Sequence, residues 1–201
     1  MSPDAMAGAE DVGTASPAAE RGDLVKERVE ALANAVRSLH RQEARGELAD
    51  LRRMDAEQAI EPAFQRILAR VAPHASFRST RRHDDAGRLA LVTRILALGT
   101  SPDVLADGHR NLGEAMAAQG IKERRVQVLM TARGTTFDDL LLRLSRQLVR
   151  GGSLPFLDLG RLVLGSADSV ERTRFRIAQG YWRALDAKGA PNDQAPKGEA
   201  E

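Results

Sequence analysis

The stretch Ile121–Arg150, IKERRVQVLMTARGTTFDDLLLRLSRQLVR, repeats its apolar residues at helical spacing. Phe137, Leu140, Leu141, Leu144 and Leu148 fall three and four apart and would line one side of a helix. Arg143, Arg146 and Arg150 repeat the same way, so at about 3.6 residues per turn they share a neighbouring stripe. A tight turn at Arg133–Gly134 separates this helix from a shorter one before it. No part of the chain alternates apolar and polar residues for long enough to make a strand, and no repeat of fixed period is present. The expected fold class is therefore all-α, a compact bundle of about seven to nine helices with no β-sheet.

Composition agrees. Aromatics are only 3% of the 201 residues, so Leu, Ala, Val and Ile must fill the core, and Ala, Leu and Arg are all good helix formers. With no cysteine there is no disulfide, thiolate metal site or cysteine nucleophile. The N-terminus lacks the pattern of a signal peptide, and no run approaches the roughly 18 apolar residues of a membrane span. A cytoplasmic protein with no membrane partner is expected. The overall charge of +2 hides a gradient: residues 1–44 carry −3, residues 45–183 carry +7 and residues 184–201 carry −2. The base in the middle is nearly all arginine, whose planar fork suits phosphate, although a general preference for arginine would look the same.

In chain order, residues 1–22 read as a disordered leader, 23–187 as a single helical domain and 188–201 as a disordered tail. Asp23 is the expected cap of a first helix through His40. After Gly46, Leu48, Leu51 and Met54 face inward while Arg52 and Arg53 point away. Asp55, with Gln58 as capping-box partner, starts a helix using Ile60, Phe64, Ile67, Leu68 and Val71, and Pro73 ends it. Residues 74–85 form a polar loop, and helices follow near 86–98 and 109–118. Thr135 or Thr136 caps the second helix of the opening pair, with Asp138 and Asp139 in its first turn. Gly151–Gly152 breaks the chain before an apolar helix from Phe156 to about Gly165. Asp168 or Ser169 starts the last helix, whose inward set is Val170, Phe175 or Arg174, Ile177, Ala178, Tyr181, Trp182 and Leu185.

Nothing in this series asks for catalysis, a cofactor or a small-molecule substrate. His83-Asp84-Asp85 has metal-binding residue types, but reads more simply as a loop leading to helix-starting acids. Asp138-Asp139 reads as a dipole-stabilising pair. No phosphate-cradling glycine loop or nucleophile elbow is present. The arginines, in contrast, cluster: Arg52 and Arg53; Arg78, Arg81 and Arg82; Arg124 and Arg125; Arg143, Arg146 and Arg150; Arg172, Arg174 and Arg176. Singly, each cluster suits a solvated helix face. Together they suit backbone contacts to nucleic acid, without the row of aromatic platforms that base stacking needs. A helical scaffold binding only protein, its arginines meeting acidic partners, is the alternative. A metal-dependent hydrolase using His83, Asp84 and Asp85 is a distant third.

The ordered series GELADLRRM (46–54), AFQRIL (63–68), ALVTRILAL (90–98), NLGEAM (111–116), ERRVQVLM (123–130), DLLLRLSRQLVR (139–150), LPFLDLGRLVLG (154–165) and VERTRFRIAQGYWRAL (170–185) resembles the CasB family. These are small subunits of the type I-E CRISPR surveillance complex Cascade. The resemblance runs from about residue 24 to 185, and it departs at Phe175 and near Asp158-Leu159, where the family usually has tryptophan. It implies a non-catalytic helical subunit, two copies of which lie head to tail beside crRNA, target DNA and the displaced strand, among other Cascade subunits. In such complexes base pairing reads sequence and protein charge stabilises the opened DNA. Matching positions carry the family's arginine pattern to Arg52, Arg53 and Arg125, and less closely to Arg143, Arg146 and Arg150. Arg78, Arg81 and Arg82 enter on charge alone.

Overall fold

The computed structural model describes residues 17–55, 60–71 and 85–189. Nine α-helices and a short 3-10 turn make up these segments, with no strand among the described residues. They are α1 (Pro17–Arg41), α2 (Arg45–Arg53), α3 (Pro62–Val71), α4 (Asp85–Ala97), α5 (Leu112–Ala118), α6 (Glu123–Thr131), α7 (Gly134–Arg150), α8 (Phe156–Leu164) and α9 (Ala167–Gly189), with the 3-10 turn at Asp103–Leu105.

Helices α1, α4 and α8 form the middle of the bundle. Val29, Leu32, Ala33 and Val36 on α1 meet Leu89, Ile95 and Leu96 on α4 and Leu159 and Leu162 on α8, all buried. Each such Val, Leu or Ile side chain contributes about 1.5–3 kcal/mol on leaving water. Helices α2 and α3 close one side through Leu51 and Phe64, both fully buried. Helices α5 and α9 pack against each other most extensively. A Cβ on Gly113 would lie 1.9 Å from the Ile177 carbonyl oxygen of α9, so only glycine permits the crossing. Asn111 caps α5, its Oδ1 accepting from the Gly113 and Glu114 amides at 2.8 and 3.2 Å. The amide of Leu112 is taken by the buried Asp158 of α8 at 3.0 Å. Asp158 also receives the Arg176 guanidinium of α9, so a single carboxylate ties α5, α8 and α9 together.

Helix boundaries shift in several places. Helix α1 begins at Pro17, with Asp23 inside it, and α9 runs on to Gly189; the remaining residues of the expected leader and tail, 1–16 and 190–201, lie outside the described residues. Helix α3 starts at Pro62, where a missing N–H is harmless, and not at Asp55; Ile60 before it is exposed. Gln58 and Pro73 lie outside the described residues. Helix α7 starts at Gly134 without a threonine cap, because Gly134 takes a φ of +59° that a side chain would strain. Asp138 and Asp139 consequently fall beyond its first turn. On α9 the inward position is Arg174, while Phe175 is 67% exposed and Trp182 is 42% exposed. Arg174 wins because its fork has partners inside. It donates to the Ala132 carbonyl at the end of α6 at 3.0 Å and to Glu171 at 2.9 Å, and lies over the Phe137 ring.

Candidate nucleic-acid interface

Helices α6 and α7 place the arginine stripe as their spacing predicts. Phe137, Leu141, Leu144 and Leu148 are buried and Leu140 is half-buried, while Arg143, Arg146 and Arg150 are exposed. The apolar ridge fixes the roll of α7 about its axis, and that roll turns the guanidinium stripe outward.

Arg125 on α6 joins this stripe. With Arg143, Arg146 and Arg150 it rims a groove of about 490 Å³ whose other walls are Met116, Leu140, Leu144 and Gln147. Its Nη1 donates to Gln147 Oε1 at 2.6 Å, which orients it towards α7. Among the described residues, Arg125, Arg143, Arg146 and Arg150 form no ion pair with a carboxylate. Four positive charges thus stand around one groove without internal neutralisation. The role of Gln147 has no signal in the sequence beyond its spacing of four from Arg143, which places it on the same face.

The other sequence candidates are placed elsewhere. Arg124 is exposed on α6 but does not line the groove. Arg53 is exposed on α2 and pairs with Asp50 at 3.2 Å. Arg52 turns inward and does not point away with Arg53: its Nε donates to the Ala97 carbonyl and its Nη2 to the Gly99 carbonyl at 3.1 Å. It therefore caps the C-terminal end of α4, where carbonyls lack helical partners. Arg78, Arg81 and Arg82 lie outside the described residues, as do His83 and Asp84. Among the described residues no group of three or more His, Asp or Glu side chains is arranged to hold a metal.

A second cleft of about 550 Å³ lies between α4, α7 and α9. It is lined by Arg88, Arg94, Arg133 and Arg174, but also by Asp55, Asp138, Asp139 and Glu171. Glu171 pairs with Arg133 at 3.0 Å and Arg174 at 2.9 Å, so this cleft is charge-balanced where the groove is not.

A family model described as CRISPR-associated protein Cse2 matches residues 47–182. The chain belongs to the Cse2 family. The matched span runs from α2 to Trp182 on α9 and includes all four groove arginines; α1 lies before it. As a Cse2-family protein the chain is a subunit of a CRISPR Cascade complex and associates with other Cascade subunits. No curated protein and no solved structure gives a significant match. No helix among the described residues is long and apolar enough to cross a membrane.

Proposed function

We propose that this Cse2-family subunit binds the nucleic-acid backbone of an RNA-guided DNA surveillance complex through the α6–α7 groove, meeting the crRNA–target hybrid and the displaced strand and so stabilising the R-loop. The subunit binds and does not catalyse, and it works in the cytoplasm beside a second copy of itself. The observation that carries this reading is the set of four guanidinium groups around one groove with no carboxylate partner among the described residues. Phosphate oxygens supply the missing acceptors in a charge-assisted geometry, with no dependence on base identity. Arg124 and Arg53, exposed outside the groove, extend the basic surface.

The test is binding of the full chain to an RNA–DNA hybrid across a range of salt. Replacing Arg143 and Arg146 by Ala should weaken binding and flatten the plot of log K against log salt by about one unit for each phosphate the variant no longer meets. Unchanged affinity and slope in a folded variant would overturn the reading and favour a scaffold that binds only protein.

A further inference from the structure

The outer face of α9 carries two features that the groove does not use. Phe175 and Trp182 are both large, aromatic and exposed, at 67% and 42%. They lie seven residues apart, so they share one meridian of the helix about 10 Å apart along its axis. Beside them runs a second stripe, Arg172, Arg176 and Arg183, all exposed. From Arg172 to Arg183 the sequence holds four cationic positions in all, Arg174 being the fourth, and no acidic residue. Arg174 is the buried member of the four, and Arg176 is shared with Asp158; Arg172 and Arg183 form no ion pair among the described residues.

The two rings do not form a continuous apolar patch. Gln179, exposed and polar, stands four residues after Phe175 and three before Trp182, so it neighbours both rings on the helix surface. A protein interface core would be contiguous and apolar. Separated rings with a parallel row of cations are instead the arrangement that stacks bases and meets the phosphates between them. Trp182 is also held in place. It packs edge to face on Tyr181 with ring centroids 5.4 Å apart, and the Tyr181 hydroxyl donates to the Ile121 carbonyl at 2.7 Å. A ring fixed before the strand arrives loses little freedom on stacking.

We infer that the outer face of α9 is a second nucleic-acid surface, selective for single strands, on which bases stack against Phe175 and Trp182 while Arg172 and Arg183 meet the backbone. A duplex hides its base faces and gains nothing from the rings, so selectivity for unpaired strands follows from the stacking itself. The surface shares no residue with the α6–α7 groove and stands or falls separately from it.

Trp182 is the only tryptophan in the chain, so its emission reports on this face alone. Titrating the full chain with oligothymidylate or oligouridylate should quench that emission, and a blunt DNA duplex should not. Phe175→Leu and Trp182→Leu should each weaken single-strand binding on the order of tenfold, with duplex binding unchanged. Trp182→Phe, which keeps a ring, should retain most of the affinity. The Arg143→Ala/Arg146→Ala variant should still show quenching by single strands, which separates this face from the groove. Single-strand binding without quenching, no single-strand binding at all, or full binding by Trp182→Leu would each overturn the inference. So would a change in the sedimentation of Trp182→Leu protein alone with nucleic-acid binding intact, which would make the face a protein contact.

Discussion

Arg125 on α6 donates to the side-chain amide oxygen of Gln147 on α7 at 2.6 Å. The acceptor is neutral, so the bond orients the guanidinium without cancelling its charge. A carboxylate in the same place would hold Arg125 as well but compete with any phosphate. Gln147→Glu should therefore weaken binding to an RNA–DNA hybrid and reduce the salt slope by about one unit, in a protein of unchanged thermal stability. Gln147→Ala should have a much smaller effect on both. Equal affinities for the Glu variant and the parent would mean that Arg125 makes no phosphate contact.

Arg52 and Arg143 look alike in the sequence and should behave differently. Arg52→Ala leaves the Ala97 and Gly99 carbonyls at the end of α4 without their donor and should cost about 1–3 kcal/mol. For a chain of this size each kcal/mol corresponds to roughly 2–4 °C in Tm. Arg143→Ala removes an exposed side chain that forms no ion pair among the described residues, and should leave Tm within about a degree, moving nucleic-acid binding instead. Calorimetry beside a binding assay reads both.

Asp158, buried on α8, holds the start of α5 and the guanidinium of Arg176 on α9. Its replacement by Ala strands the Leu112 amide at the start of α5 and takes from Arg176 the carboxylate it pairs with. The buried amide left without an acceptor costs about 1–3 kcal/mol, while the half-exposed Arg176 turns to water. Arg176→Ala, truncating the more exposed partner, should cost less, because Arg161 still stands 3.6 Å from the carboxylate. Urea unfolding of the two variants tests the order.

His40 predicts a pH dependence. Burial, then the positive charge of Arg52, lowers its pKa in the folded protein. The unfolded chain therefore takes up this proton first as pH falls through about 6.5. The contribution is present above that pH and is lost as pH drops towards the lowered folded value. The melting temperature should fall on acidification from about pH 7.5, and His40→Gln should show a shallower fall over the same window. Parallel profiles for the two proteins would remove His40 as the cause.

Much of the architecture is legible in residue spacing. The α7 ridge and its arginine stripe follow directly from intervals of three and four, because a helix has only one period to offer. The ends of elements are less legible. Asp55 and Asp23 resemble caps, yet among the described residues no helix starts at either, since α3 starts at Pro62 and α1 continues upstream to Pro17. On α9, Arg174 and Phe175 are adjacent, and hydrophobicity would bury the ring. The tertiary structure buries the guanidinium, because the end of α6 and the Phe137 face supply partners that no local pattern records. Asp158 is hidden in the same way, as one acid within an apolar run.

The sequence by itself determined the helical class, the family, and the outward arginine stripe of α7, because each depends on periodicity or on the order of motifs along the chain. The tertiary structure decided which arginines remain available. Arg52 is drawn into the end of α4 and Arg174 into the core, while Arg125 is brought across to α7 from another helix. Availability depends on which carbonyls and carboxylates the packing leaves within reach of each guanidinium, and those lie tens of residues away along the chain.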